Sequence, residues 1–314
     1  MDSMNDSLGG GGELQGEEDS CTNLFKIPLF TDEIASNWLY TYTDKIVYTY
    51  CIPFVVTLGL LGNCAFLFMV GRLTRMKTTV NFYLVNLAIT DIVFLTTQSL
   101  FLTYAYLITP VSYNYPFETV ESCYIIYFIG YLSYYCSISL ITLVSIERYY
   151  AICRPMHHRS MKSRKHTIKV MCVAWFVSVL LTAVTLLKRM ELVKFCLIWP
   201  DTEQYHNIPS VYRFCGPIRG IDEILIATEI MYSALFFIAA LLNGFLYVKI
   251  IATLSSRSVA AQQADPKNIA VRNQVARALV INGIIFFVTQ IPIRVRDIYE
   301  ILDALHQPLF LTKN

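Results

Sequence analysis

The 314 residues are 55% hydrophobic and only 15% charged, with a formal net charge of +2 and a mean hydropathy of +0.49. A soluble domain of this size carries charge on nearer a quarter of its residues, and so small a net charge implies no polyanionic partner such as nucleic acid. The apolar residues gather into six blocks, Tyr48–Val70, Phe82–Ile108, Cys123–Tyr149, Thr167–Leu187, Ile224–Leu254 and Ala278–Leu302. Each approaches the roughly 20 residues that a bilayer-crossing helix needs, so lipid rather than water is the expected solvent.

Residues 1–47 hold nine acidic groups and two lysines, with Gly9–Gly12 and an acidic cluster at Glu17–Asp19. This composition predicts a disordered tail. Asn5-Asp6-Ser7 is a glycosylation sequon, useful only if the tail faces outward. No charged region followed by an apolar core precedes the first block, so the first span is expected to act as its own insertion signal. That block contains Gly62-Asn63, and the loop after it carries Arg72, Arg75 and Lys77 without an acid. The second block contains Asn86-Leu87-Ala88-Ile89-Thr90-Asp91. A charged carboxylate in mid-membrane costs about 2.5–3.5 kcal/mol or more unless paired or wetted. Asp91 is therefore either a protonated hydrogen-bonding group that joins helices or an ion or switch site, with Ser133 and Ser137 as neighbouring oxygens.

The third block opens on Cys123 and ends in Glu147-Arg148-Tyr149. Tyr127, Tyr131, Tyr134, Ile138, Ile141, Ser145 and Arg148 follow steps of four and three, which puts them on one helical face. The tyrosines are either interhelical packing or the lining of a ligand box, and Glu147-Arg148 is either a snorkelling anchor or a switch. The next loop has six basic residues and no acid from Arg154 to Lys169. The fourth block holds Trp175. After it, Lys194–Trp199 and Val211–Cys215 flank turn formers including Pro200, Asp201, Asn207 and Pro209, the pattern of a β-hairpin. Cys21, Cys123, Cys196 and Cys215 lie outside the spans. Four cysteines allow three pairings, and sequence alone does not choose among them. Cys123–Cys215 is favoured, with Cys21–Cys196 as a second bridge, and whether Cys196 or Cys215 meets Cys123 stays open.

The fifth block carries Phe236, Ala239 and Tyr247, and a basic stretch follows it. The sixth runs through Phe286-Phe287-Val288-Thr289-Gln290-Ile291-Pro292 to Arg294. Pro292 removes a backbone hydrogen bond and should bend the helix, the kind of element a ligand can bias. Residues 303–314 read as the start of a loop. Basic and non-basic loops alternate, so the positive-inside rule puts the basic loops in the cytoplasm and the N-terminus outside. Three parts result: an extracellular tail over 1–47, a helix bundle over 48–302 and a loop start over 303–314.

Taken in order, Gly62-Asn63, Leu87-Ala88-x-x-Asp91, Cys123, Glu147-Arg148-Tyr149, Trp175, Tyr247 and Phe286 with Pro292 resemble the signatures of rhodopsin-like G-protein-coupled receptors, from Tyr48 to Leu302. The resemblance implies an all-α membrane protein of the plasma membrane, with six of seven helices present and a hairpin in the second extracellular loop. It implies that an extracellular agonist enters among Tyr127, Tyr131, Tyr134, Glu229 and Arg294. Helix 6 then swings, Arg148 is freed from Glu147 to meet a heterotrimeric G protein, and Tyr247 stabilises the open cavity. Asp91 with Ser137 would hold an allosteric sodium ion, no other cofactor being implied, while Asn63 and Trp175 are structural. Departures are Gln290 and Thr289 where the family usually has an aromatic toggle and a cysteine, Ala239 in place of a fifth-helix proline, and no acid near Arg272. The absence of a seventh apolar block suggests a truncated gene model, a fragment or a splice form.

Amine receptors of this kind place an aspartate where Gly130 stands, so a peptide is the expected ligand. Pro292-Ile293-Arg294, Tyr131 and Cys215-Gly216 are similar to the thyrotropin-releasing-hormone and neuromedin-type receptors. A buried Arg294 is costly; it either meets a peptide carboxylate or amide, or pairs internally with Glu229. The rival reading is a non-signalling form that partners full-length receptors. A channel would need an arginine ladder or pore loop, and a transporter internal repeats; neither is visible. No enzyme or metal constellation stands out, since His157 and His158 lack acidic or cysteine ligands at metal spacing.

Overall fold

The computed structural model describes residues 21, 24–76, 78–156, 158, 163–187, 190–217, 223–260 and 266–311. Asn5 lies outside them. Among the described residues, six helices are long and apolar enough to cross a membrane. They are α1 (Tyr42–Arg72), α2 (Thr79–Ile108), α3 (Val120–Cys153), α4 (Arg164–Thr185), α5 (Glu223–Ala260) and α6 (Pro266–Leu311). Short π-helical turns interrupt α1 at Val47–Cys51 and α2 at Leu95–Ser99. The first span begins at Tyr42 rather than near Tyr48. A capping box starts it: Thr41 Oγ1 accepts from the Asp44 amide at 3.2 Å, and Asp44 Oδ2 accepts from the Thr41 amide at 2.9 Å, satisfying two orphan donors together. At the other end, α6 continues through Pro292 to Leu311, so residues 303–311 are helical where a loop start was expected.

The chain divides into two compact units. The first comprises Met1–Leu58, Thr96–Ile126 and Met190–Ile218. Its centre is a three-stranded sheet of β1 (Phe25–Pro28), β2 (Met190–Ile198) and β3 (Val211–Pro217), in the order β1-β2-β3. β2 and β3 form the expected antiparallel hairpin, with Leu192 opposite Cys215 and Cys196 opposite Val211. The first strand begins four residues earlier than its sequence pattern suggested. Trp199 folds the turn by stacking on Tyr205 at 5.5 Å and donating to the Pro209 carbonyl at 3.2 Å.

The expectation of a disordered tail fails for residues 24–47. β1 adds to β2 in parallel, Phe25 opposite Phe195, and a short helix follows at Asp32–Ser36. Leu39 then bridges Val111. Trp38, Phe195 and Tyr212 pack with Leu29, Ala35, Val111 and Leu197 into a small core. Disulfides Cys21–Cys196 and Cys123–Cys215 staple this unit. Burial pushes the Tyr212 phenol up to about 12 and raises that of Tyr40 as well.

The second unit comprises Gly59–Leu95, Tyr127–Arg189 and Arg219–Asn314. Its surface is apolar, with Leu61, Phe68, Phe176, Leu180, Leu241, Val248 and Val288 all exposed. Hydroxyl and amide side chains lie inside instead: Thr90, Ser133, Ser137, Ser145, Ser178, Thr182 and Asn243 are buried. Helices in lipid bond every backbone group internally and join through such polar side chains. Ser178, Thr182 and Thr185 each donate back to a carbonyl one turn earlier, and Tyr135 reaches Thr185 Oγ1 from α3 at 2.8 Å. Trp175 Nε1 donates to Asn86 Oδ1 at 3.2 Å, tying α4 to α2. Asn63 donates to the Gly59 carbonyl of its own helix, at 2.9 Å.

Candidate functional site

One buried and one half-buried arginine mark the second unit. On α5 the residues Tyr232, Phe236, Ala239, Asn243, Tyr247, Ile250 and Leu254 are all buried, spaced by three and four so that one face points inward. On α3 the face through Tyr134, Ile138, Ile141 and Ser145 is buried likewise. Where these faces meet α6, Arg294 is enclosed at 2% exposure. Its guanidinium lies 4.0 Å from the Tyr232 ring centroid, 5.0 Å from that of Tyr134 and 6.0 Å from that of Phe236. Cations gain up to about 2 kcal/mol over such a face when desolvated. Nη2 donates to the Tyr232 hydroxyl at 3.0 Å.

The carboxylate set against Arg294 is Asp297, one turn along α6, with Nη1 3.0 Å from Oδ2. Sequence had offered Glu229 for that place. The Nη1 contact is an ion pair without hydrogen-bond alignment, and Nε has no hydrogen-bond partner either. Tyr131 meets Tyr232 edge-on at 5.3 Å and Tyr127 stacks on Tyr131 at 6.3 Å, so the tyrosine stripe of α3 leads to this box. Glu229 is half-buried one turn before Tyr232 on α5.

Asp91 is half-buried on α2, and Ser137 Oγ donates to its Oδ1 across a long 3.5 Å. Further along, Asn243 is fully buried and donates to Thr142 Oγ1 and the Ala239 carbonyl, both at 2.8 Å.

Arg148 lines a narrow cavity of about 20 Å³ with Ser145, Tyr247, Ile250, Ala276, Val280 and Gly283, room for roughly one water. Ser145 Oγ donates to the Tyr247 hydroxyl at 3.2 Å, tying α3 to α5 one turn before Arg148. Glu147 acts electrostatically on the Arg148 guanidinium, but among the described residues no hydrogen bond joins the two. Glu147 Oε1 also lies 3.7 Å from His158 Nε2, each side chain 20% exposed, an ion pair whenever that imidazole is protonated. The Arg148 Nε is buried without a hydrogen-bond partner. Tyr149 packs beside Ile152 in the cluster that holds Tyr247 and Ile250.

On α6 Phe286 packs half-buried against the core cluster, and its neighbour Phe287 is the buried ring that meets Phe236, at 5.7 Å. Tyr232 and Asp297 were missed. Tyr232 could have been found from the three-and-four spacing back from Tyr247, and Asp297 from its i+3 offset to Arg294.

Six apolar helices, polar side chains turned inward and an arginine at the end of the third helix define a membrane receptor architecture. Residues 62–312 match the family described as 7 transmembrane receptor (rhodopsin family), and the chain belongs to that family. It is 32% identical over 154 residues to apelin receptor A of Danio rerio, covering 49% of this chain and 40% of that protein. Apelin receptor B of Danio rerio is 32% identical over 135 residues, covering 43% and 36%. Lysophosphatidic acid receptor 6 of Gallus gallus is 29% identical over 140 residues, covering 44% and 43%. The chain thus spans about two fifths of the length of these curated relatives.

Proposed function

We propose that this protein is a plasma-membrane receptor that binds an extracellular peptide and activates a heterotrimeric G protein through the Arg148 end of α3. The observation that carries the reading is the state of Arg148. A half-buried arginine whose Nε is enclosed without a hydrogen-bond partner lines a cavity among α2, α3, α5 and α6. An unpaired buried donor of this kind is costly and is satisfied when a partner supplies backbone carbonyls or carboxylates. Orientation rests on two supports: the basic loops that favour the cytoplasm, and the disulfides of the first unit, which belong in an oxidising compartment.

Ligand capture is assigned to the aromatic box. Tyr127 and Tyr131 lead to Tyr134, Tyr232 and Arg294, and the spare Nε of Arg294 suits a carbonyl or carboxylate acceptor. Glu229 would select among peptides from the α5 side. The relatives named for apelin favour a peptide, while the one named for lysophosphatidic acid makes a lipid phosphate the competing ligand.

Asp91 and Ser137 fit a small cation in part, because two oxygens face one another across a long contact. A sodium ion held there would neutralise Asp91 and steady the packing of α2 on α3; the Ser137 hydroxyl would orient the carboxylate.

The test is a calcium and cyclic-AMP assay of cells displaying the chain, challenged with a neuropeptide library and with lysophosphatidate. A response to a peptide, lost in Arg148→Ala at equal surface density, supports the proposal. A response confined to lysophosphatidate overturns the peptide assignment, and silence toward everything overturns signalling.

A further inference from the structure

Tyr247 occupies a place beside α6 that only a residue without a side chain leaves open. A Cβ built on Gly283 would overlap the Tyr247 hydroxyl and stand 2.7 Å from Cζ and 3.2 Å from Cε2. A contact under 3.0 Å is one that real Cβ atoms essentially never make, so either the phenol or the helix must shift. Helix propensity alone would favour alanine at 283, so the glycine's use is the close approach itself. Three features make the approach matter. The same hydroxyl receives the Ser145 hydrogen bond at 3.2 Å. The Tyr247 ring is buried in a cluster with Ile152, Ile250, Leu254, Ala276 and Val280. Gly283, Tyr247, Ser145 and Arg148 all line one cavity.

We propose that Gly283 is a positioning residue for G-protein coupling: its missing Cβ is the slot in which the Tyr247 phenol lies between α3 and α6, and the slot sets how closely α6 approaches Arg148. The inference rests on the coupling role of Arg148 and adds a residue to it. Tyr247 is hemmed in by its cluster and tied to Ser145, so a side chain at 283 displaces α6 rather than the ring. The displaced helix widens the cavity around Arg148, which favours the coupling arrangement without ligand.

A double-mutant cycle tests this. Gly283→Ala is compared with wild type, and again in the Tyr247→Leu background, where the hydroxyl and ring edge are gone and the Cβ fits. Each purified chain is reconstituted in phospholipid nanodiscs. Its melting midpoint and its ligand-free stimulation of nucleotide exchange on a panel of heterotrimeric G proteins are then measured. Expected is a lower midpoint and a severalfold rise in exchange for Gly283→Ala beside the native tyrosine, and neither change in the Tyr247→Leu background. Equal shifts in both backgrounds, or no shift in either, overturn the slot. A midpoint shift with unchanged exchange overturns the positioning role and leaves Gly283 as packing only. A wild-type chain that drives no exchange sinks the coupling reading itself, and the melting cycle, which needs no G protein, separates that failure from failure of the slot.

Discussion

Arg294 is buried and Arg148 half-buried in the same unit, and their surroundings differ. Arg294 is wrapped by Tyr232, Tyr134 and Phe236, donates to a hydroxyl and faces a carboxylate at 3.0 Å. Arg148 is half-buried, its neighbour Glu147 also lies 3.7 Å from His158, and the arginine's Nε too lacks a hydrogen-bond partner. Desolvating an unpaired cation costs several kcal/mol. Arg294 therefore has a close counter-charge within the chain, although its Nε and Nη1 lack hydrogen-bond partners, while the half-buried Arg148 opens on a cavity. Stability should hang on the first and signalling on the second.

The largest effect is expected at Asp297. Asp297→Ala leaves Arg294 buried without its counter-charge, a change that costs about 3–5 kcal/mol and should remove most receptor from the cell surface. Arg294→Met combined with Asp297→Leu takes out both charges and should restore surface density close to wild type; a double variant as poorly displayed as the single would refute the ion-pair account. Tyr232→Phe comes next. It keeps the ring against the guanidinium but removes the acceptor, for about 1–2 kcal/mol, seen as a fall in melting midpoint of the purified chain. Glu147→Gln should do least to stability, within about 1 kcal/mol, since the partner is a part-exposed His158 at 3.7 Å. A midpoint loss at Glu147 as large as that at Asp297 would erase the contrast between the two arginines.

Much of the membrane architecture was legible because lipid-crossing helices are written locally. Five apolar blocks lie within a helix each and the fourth overruns its helix by two residues past Thr185, and the hairpin followed from turn formers between two extended runs. What escaped was non-local. β1 forms only because β2, some 170 residues later, offers an edge next to Cys196, so no local pattern marked Phe25–Pro28. The tyrosine stripe of α3 was visible by spacing, whereas Tyr232 gains its role only where α5 meets α3 and α6. Glu147 was assigned to Arg148 by the family resemblance. Neighbours at i and i+1 point apart on a helix, and the carboxylate lies 3.7 Å from His158.

The most direct test is nucleotide exchange on the same panel of heterotrimeric G proteins, comparing wild type with Arg148→Ala at matched surface density. Unchanged display with exchange lost is the predicted result, since Arg148 is half-buried and its Nε has no hydrogen-bond partner to strand. Display lost together with exchange would make Arg148 a structural cation like Arg294, and exchange retained would remove it from the coupling surface.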